Sequence, residues 1–124
     1  MTTDQDQLYT LYTNGMSLLE AGDYESASVP LRKAARLAPE KSSVREALGR
    51  ALFRSRHFEE AVPEFEAVVE RYPVNDYAHF CLGRALTLTG ELDRARRHLA
   101  IAANLRPDRR DYRIYRERLA AGSG

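Results

Sequence analysis

Four side chains of this 124-residue chain are of types that perform nucleophilic or metal chemistry: His57, His79, His98 and Cys81. The histidines are predicted to lie in a turn, a first helix and a second helix, without the spacing of a metal-binding motif. His79 and Cys81 are two residues apart, which directs them to different faces of a helix, so they form no nucleophile–base pair. We therefore predict no enzyme, no metal site and no cofactor, and interpret Cys81 as a small core or groove residue.

Three arginines, Arg50, Arg84 and Arg118, recur at intervals of 34 residues. A guanidinium can hold a carboxylate through two parallel hydrogen bonds, so this arginine ladder suits an acidic partner. A plainer alternative is that these arginines only cover helix surfaces or pair with Glu46. The chemistry that the ladder favours is recognition of another molecule.

The arginine ladder shares its period with a pattern that covers most of the chain. Gly15, Gly49 and Gly83 are also 34 residues apart, and the tetrapeptide Gly-Arg-Ala-Leu occurs at 49–52 and again at 83–86. A period of 20–50 residues indicates one structural unit stacked on copies of itself. Further columns in the same register are Ala27/Ala61/Ala95, Leu31/Phe65/Leu99, Tyr24/Phe58/Leu92 and Pro39/Pro73/Pro107. Three units are predicted to stack, because no single unit can bury its apolar face alone.

Each unit is predicted to contain two helices. The predicted ranges are 8–21 and 24–38, then 42–55 and 58–71, then 76–89 and 92–105. Asp23 is expected to cap the second helix with its side chain, and Pro39 to end it. Pro30 and Pro63 fall inside second helices, where each removes a backbone hydrogen bond, so we expect a shared bend. The glycine column is interpreted as a close approach of the neighbouring second helix.

These residues resemble the pattern of the tetratricopeptide repeat family. The match rests on Leu48-Gly49, Leu82-Gly83, Gly22-Asp23-Tyr24 and the alanine and proline columns. It covers residues 8–109 in three gapless units, although Leu11, Arg45 and His79 stand where a larger residue is usual. The resemblance implies an all-α protein, an α-solenoid of three stacked antiparallel helix pairs in a right-handed superhelix, with a seventh capping helix.

The resemblance also implies the limits of each part. The expected parts are a disordered N-terminus over 1–7, a single domain over 8–121 with repeats 8–41, 42–75 and 76–109, a capping helix over 110–121, and a flexible tail over 122–124. In the capping helix, Tyr112, Tyr115 and Leu119 fall on one face and are expected to cover the last unit, while the arginines of the helix face water.

In this family the first helices line a concave groove, which implies the site residues. The groove residues are Tyr9, Tyr12, Met16, Glu46, Arg50, Phe53, Arg54, Tyr77, Phe80, Cys81, Arg84 and Arg118. Aromatic residues beside arginines are typical of binding hot spots, so the groove is predicted to bind a peptide or helix with apolar and acidic residues. Some family members hold a partner's C-terminal carboxylate with Lys and Asn at five groove positions. That clamp is not expected here, because the matching residues, Tyr12, Met16, Ala47, Tyr77 and Cys81, include no basic side chain.

The net charge of +1 conceals an asymmetry along the chain. Residues 1–83 carry 9 basic and 13 acidic side chains, whereas residues 84–124 carry 10 and 5. A split of this kind is found in polyanion-binding and self-associating proteins, and also arises from the chance distribution of solvated side chains. A single cysteine, no apolar run approaching the roughly 20 residues of a membrane span, and no signal-peptide pattern predict a cytoplasmic protein.

Three functions are consistent with these features. The first is a non-catalytic adaptor that binds another protein in the groove. The second is a structural module that forms a homodimer or a head-to-tail oligomer, because Leu8, Leu11 and Tyr12 form an edge with no preceding helix to cover it. The third is RNA or polyanion binding by the arginine-rich C-terminal part, which is the least favoured because acidic residues are interspersed there.

Overall fold

The computed structural model describes residues 3–122 and consists of helices joined by short turns. Its helices are α1 (Asp4–Glu20), α2 (Tyr24–Leu37), α3 (Ser42–Arg54), α4 (Phe58–Arg71), α5 (Asp76–Thr89), α6 (Leu92–Leu105) and α7 (Arg110–Gly122). Each helix packs mainly on the helices before and after it in the chain. The predicted fold class, an all-α stack of three helix pairs with a seventh helix, is confirmed. Within residues 3–122, no helix is long and apolar enough to cross a membrane.

The glycine column allows the two helices of each pair to approach closely. A methyl group placed on Gly15 would lie 2.5 Å from Leu31 Cγ, and one on Gly83 would lie 2.6 Å from Leu99 Cγ. At Gly49 the nearest atom would be Phe65 Cζ, at 2.8 Å. The large side chain of each second helix therefore occupies the space above the glycine of the first helix, as the repeat predicts.

A left-handed residue turns the chain between the two helices of each pair. Gly22 (φ 79°), Arg56 (φ 70°) and Gly90 (φ 87°) occupy this position, 34 residues apart. The next N–H group in each turn donates to a carbonyl five residues back, as in Asp23 N–H to Leu18 O at 2.9 Å, which closes the preceding helix. The middle turn carries a side chain where glycine fits best, so it is the most strained of the three.

Two local predictions are wrong. The disorder expected over residues 1–7 does not hold for residues 3–7, because α1 begins at Asp4 and Thr3 caps it: Asp6 N–H donates to Thr3 Oγ1 at 3.1 Å and Thr3 N–H donates to the Asp6 carboxylate at 3.4 Å. Residues 1 and 2 lie outside the described residues. Asp23 makes no side-chain hydrogen bond to α2, since its backbone (ψ 69°) is not in the extended conformation of an N-cap.

The interior prolines leave their helices continuous. Helix α2 runs through Pro30 and α4 through Pro63. The carbonyls that each proline leaves without a helical donor belong to Ser26 and Glu59, which are exposed and can bond to water. Because these carbonyls face solvent, the loss of each helical hydrogen bond costs less stability than it would in the core. The bend expected at the prolines stays a prediction.

Helix α7 closes the far end of the stack. Tyr112 is 0% exposed, its ring centre lies 4.6 Å from that of Phe80, and its hydroxyl donates to the Asp76 carboxylate at 2.6 Å. Tyr115 and Leu119 pack against the same cluster. The helix extends one residue beyond the expected end, to Gly122, and the rest of the expected tail (123–124) lies outside the described residues.

Candidate functional site

A cavity of about 150 Å³ opens between the first helices of the three pairs. From α3 it is lined by Arg50, Phe53 and Arg54, and from α5 by Tyr77, Phe80, Cys81 and Arg84. All seven belong to the predicted groove residues. The remaining lining residues are Leu19, Tyr24 and Phe65. We call this space the groove cavity.

Arg84 is held over aromatic rings at the edge of the groove cavity. Its guanidinium carbon lies 4.9 Å from the centre of the Phe53 ring, 5.9 Å from Phe80 and 4.5 Å from Tyr115. A cation in such positions is attracted by the negative ring faces. Because rings from α3, α5 and α7 surround it, Arg84 is fixed in place before any ligand arrives.

A second arginine of the groove cavity is fixed in a similar way. The guanidinium of Arg54 lies 4.8 Å from the centre of the Tyr24 ring, and its Nη2 donates to the Tyr24 hydroxyl at 2.9 Å. These contacts connect the second unit to the first. They use neutral groups of Tyr24, and no carboxylate of residues 3–122 lies within 4.0 Å of the Arg54 guanidinium to compensate its charge.

The arginine ladder has no close carboxylate partner in the part of the chain that the structure describes. Within residues 3–122, no carboxylate oxygen lies within 4.0 Å of the nitrogens of Arg50, Arg84 or Arg118, whereas two second-helix arginines form ion pairs between units, Arg32 with Glu60 at 2.6 Å and Arg94 with Glu66. Pairing of Arg50 with Glu46, the alternative considered from the sequence, is limited to a longer-range attraction. The ladder therefore presents positive charge that is free to meet an anion.

Glu46 is the one acidic residue of the predicted set. Burial raises the pKa of its carboxyl above the usual value, and the charge of Arg50 and a hydrogen bond with Asn75 partly offset that effect. The carboxyl does not line the groove cavity.

Tyr77 and Cys81 form an uncharged pair on α5. Burial raises the pKa of the Cys81 thiol to about 12, and burial together with its interaction with Cys81 raises the pKa of Tyr77 to about 12. The thiol therefore stays protonated at neutral pH and is a poor nucleophile. This wall of the cavity contributes shape and apolar surface.

The remaining predicted residues lie elsewhere. Tyr9 is 72% exposed, Tyr12 and Met16 pack against the core, and Arg118 lies on α7. Sequence reasoning did not place Tyr24 and Phe65 in the site, because the Phe65 column was interpreted as filling the gap between stacked units and the Tyr24 column only as part of the repeat pattern. Their large aromatic side chains were the available signal.

Arg118 lines a second cavity, of about 230 Å³, between α5, α6 and α7. Its other polar lining residues are Arg84, Thr87 and Tyr115, and its apolar lining consists of Leu88, Leu99 and Leu119. The guanidinium carbon of Arg118 lies 5.2 Å from the centre of the Tyr115 ring. We call this space the α7 cavity; it shares Arg84 with the groove cavity.

The structure brings together two histidines that the sequence analysis treated as scattered. His79 Nδ1 lies 3.0 Å from His98 Nδ1, and His79 Nε2 donates to Pro73 O at 2.7 Å. Because the Nε2 of a neutral His79 carries its proton, its Nδ1 accepts and His98 Nδ1 must donate. The equivalent positions of the preceding unit hold an Arg45–Glu64 ion pair at 2.9 Å. No group of three or more potential metal ligands occurs in the described part of the chain.

The sequence profile of the tetratricopeptide repeat matches the chain over residues 12–56 and 46–111. The two matches together cover most of the chain, so it belongs to the tetratricopeptide repeat family. No curated protein sequence matches the chain.

Solved structures share this fold. A fragment of MamA from Desulfovibrio magneticus RS-1 (residues 41 to the end) is 25% identical with a TM-score of 0.89, over 94% of this chain and 66% of that one. This chain thus spans just under two thirds of that MamA chain. The first repeat domain of Spaghetti (RPAP3), bound to the HSP90 peptide SRMEEVD, is 17% identical with a TM-score of 0.86, over 98% and 95% of the two chains. The Yersinia enterocolitica type III secretion chaperone SycD, in complex with a peptide of the translocator YopD, is 19% identical with a TM-score of 0.75, over 97% and 90%.

Proposed function

We propose that this chain is a non-catalytic, cytoplasmic adaptor that binds a segment of another protein in the groove cavity. The observation that carries the proposal is Arg84, which is fixed over Phe53, Phe80 and Tyr115 and meets no carboxylate among residues 3–122. An immobilised cation beside apolar rings offers a carboxylate a partner at little further cost in side-chain entropy. The ligand therefore carries an acidic residue close to an apolar one.

The similar structures support this class of function. Two of them hold peptides, and the HSP90 peptide SRMEEVD is itself acidic. The manner of binding is expected to differ, because the matching clamp positions in this chain, such as Met16, Ala47 and Cys81, are not basic. In this chain the positive charge that attracts an acidic ligand comes from Arg50, Arg54 and Arg84. Arg50 and Arg84 lie about one helical turn after the clamp positions Ala47 and Cys81.

Self-association is the weaker proposal. In the second unit, Val44 and Leu48 are buried between units. The equivalent residues of the first unit, Thr10 and Asn14, are polar and exposed. Stacking a second copy on this face would bury polar groups without partners. Leu11, offered from the sequence as part of an uncovered edge, packs partly against the core.

Polyanion binding is also less favoured, because ion pairs reduce the free charge of the arginine-rich part. Arg106 pairs with Asp108 and Arg109 with Asp111, at 2.9 and 2.8 Å, and Arg94 pairs with Glu91 at 3.1 Å. Each carboxylate competes with a phosphate for its arginine. Retention on RNA that falls steeply with added salt would favour this proposal over the adaptor.

The adaptor proposal is tested by a quantitative lysate pull-down with the wild-type protein and the Arg50→Glu/Arg84→Glu variant. A matched control is Arg110→Glu/Arg113→Glu, which makes the same charge change at exposed positions of α7. We expect specific proteins to be retained by the wild type and the control and lost by the groove variant, with helicity unchanged. Equal recovery by all three proteins would contradict binding in the groove.

A further inference from the structure

The α7 cavity has features of a binding subsite that the groove cavity lacks. Beside the Tyr115 ring it is lined by three leucines, Leu88, Leu99 and Leu119, whereas the groove cavity is lined mainly by aromatic rings and by the single leucine Leu19. Its volume of about 230 Å³ is ample for one aliphatic side chain, since about 150 Å³ holds a benzene-sized group. Leu88 at its rim is 52% exposed, so the cavity is open to a ligand.

Two positive charges without a carboxylate partner among residues 3–122 meet at this cavity. The guanidinium carbons of Arg84 and Arg118 lie 4.5 and 5.2 Å from the centre of the same Tyr115 ring. They are thus less than about 10 Å apart, within the range where charges still interact at ordinary ionic strength. Neither has a carboxylate within 4.0 Å among residues 3–122. An anion at the mouth of the cavity would relieve this repulsion and gain charge-assisted hydrogen bonds.

We propose that the α7 cavity is a second anchor site, which takes an aliphatic side chain of a partner protein with a carboxylate next to it. The leucines receive the side chain, and Arg84 and Arg118 hold the carboxylate. Arg84 belongs to both cavities. A ligand that occupies the two cavities at once would therefore have one acidic residue at Arg84, flanked by an apolar group in the groove cavity and an aliphatic side chain in the α7 cavity. In this respect the inference rests on the proposed function, and it adds the order in which the apolar and acidic residues follow one another in the ligand.

The test measures NMR chemical shifts of the 15N-labelled full chain during titration with short capped peptides to about 10 mM, a range suited to millimolar affinities. Ac-Glu-Leu-NH2 probes the α7 cavity, and Ac-Gln-Leu-NH2 and Ac-Glu-Ala-NH2 remove the charge and the aliphatic anchor. Ac-Gln-Leu-OH offers the terminal carboxylate in place of the side-chain one. Ac-Phe-Glu-NH2 probes the groove cavity independently.

We expect Ac-Glu-Leu-NH2 to shift the amides of Tyr115, Arg118 and Leu119, and both comparison peptides to bind at least about tenfold more weakly. Arg118→Glu and Leu88→Asp, both at exposed positions, should abolish these shifts, and Arg113→Glu, on the same helix, should keep them. Binding of Ac-Gln-Leu-OH at the same amides would identify a chain terminus as a suitable source of the carboxylate.

No shift at these amides, or equal shifts with Ac-Gln-Leu-NH2, would overturn the inference. If Ac-Phe-Glu-NH2 still shifts the amides around Phe53 and Tyr77, the proposed function survives that result. If Arg113→Glu also lost the chemical-shift changes, the binding would result from the general positive charge of α7 and not from the cavity. That result would also overturn the inference.

Discussion

Arg84 and Phe53 meet across the groove, with the guanidinium carbon 4.9 Å from the ring centre, and so connect α5 to α3. The same arginine reaches Tyr115 of α7 at 4.5 Å. One side chain thereby links the second unit, the third unit and the final helix. Its positive charge remains uncompensated by any carboxylate within 4.0 Å in the described residues, which makes it both a structural contact and the centre of the candidate site.

Replacing Arg84 is expected to lower stability as well as binding. Arg84→Met keeps an unbranched apolar side chain but removes the cation over the rings, and we expect the free energy of unfolding to fall by about 1 kcal/mol. Urea denaturation followed by circular dichroism measures the change. Arg113→Met, at an exposed position of α7, should remain within about 0.5 kcal/mol of the wild type. Equal effects of the two substitutions would show that the stacking contributes nothing to stability.

The contact of Gly49 with Phe65 predicts a substitution that should be harmful despite a better helix propensity. Gly49→Ala places a methyl group 2.8 Å from Phe65 Cζ, and overpacking of this kind costs about 1–3 kcal/mol. That cost exceeds the gain of about 0.5–1 kcal/mol from removing a helical glycine.

The control for Gly49→Ala is a double-mutant cycle with Phe65→Ala, because a leucine, as at Leu31 and Leu99, would still lie within 2.6 Å of the methyl group. The smaller side chain should accommodate the methyl group, so the double variant should be more stable than the two single effects predict. Additive free energies of unfolding would mean that the glycine is not kept for the approach of Phe65.

The hydroxyl of Tyr112 is expected to hold α7 on the stack. It donates to the Asp76 carboxylate at 2.6 Å, and a hydrogen bond to a charged group contributes about 1.5–3 kcal/mol. Tyr112→Phe should therefore lower the free energy of unfolding by about 1.5 kcal/mol, the lower figure because Asp76 is only half-buried. Hydrogen exchange of the α7 amides should accelerate in the same variant.

Tyr115→Phe removes the same group from the same helix, from a ring that contacts Phe80, Arg84 and Arg118 and whose hydroxyl has no hydrogen-bond partner among residues 3–122. It should leave both stability and exchange nearly unchanged. A similar acceleration in both variants would contradict the role of the Tyr112–Asp76 bond.

Much of the fold follows from the sequence, because a 34-residue period repeats the same packing requirement three times. The column Gly15/Gly49/Gly83 predicted a close approach of the second helices, and in the structure this approach is made by Leu31, Phe65 and Leu99. What was missed depends on local or long-range geometry. The cap at Thr3 uses Asp where the common capping box has Glu or Gln, and the left-handed turn leaves Asp23 unable to cap α2.

The candidate site was less accessible from the sequence than the fold. Family geometry placed Phe80 on the groove surface, yet it is only 7% exposed because Tyr112 and Tyr115 of α7 cover it. The His79–His98 contact joins residues 19 positions apart on different helices. The equivalent positions of the preceding unit, Arg45 and Glu64, have opposite charges and form an ion pair, and this was the available signal that the two columns meet.

The histidine pair predicts a loss of stability in mild acid. Burial lowers the pKa of His98 to about 4, and the nearby His79, Arg94 and Arg97 add to the effect. As the pH falls from about 6.5 towards 4, the unfolded chain binds a proton at this residue that the folded chain does not bind. The contribution of His98 to stability is therefore present above about pH 6.5 and is lost through that window.

Urea denaturation at several pH values between 7 and 4 measures this dependence. Glu46 has a raised pKa and acts in the opposite direction, since its folded form binds its proton first as the pH falls. The comparison is therefore made between the wild type and His98→Gln, in which the Glu46 contribution is the same. The wild type should lose more stability than the variant over this window, and parallel pH profiles would refute the assignment to His98.

The central claim, that the groove cavity binds a segment with an apolar and an acidic residue, is tested most directly by selecting ligands from a random peptide library displayed on phage. The selection is run with the wild type, with Arg50→Glu/Arg84→Glu and with Arg110→Glu/Arg113→Glu. The account predicts that the wild type and the α7 control enrich the same peptides, in which Asp or Glu lies close to an aromatic or aliphatic residue, and that the groove variant loses them. No enrichment by the wild type, or enrichment of the same peptides by the groove variant, would contradict it.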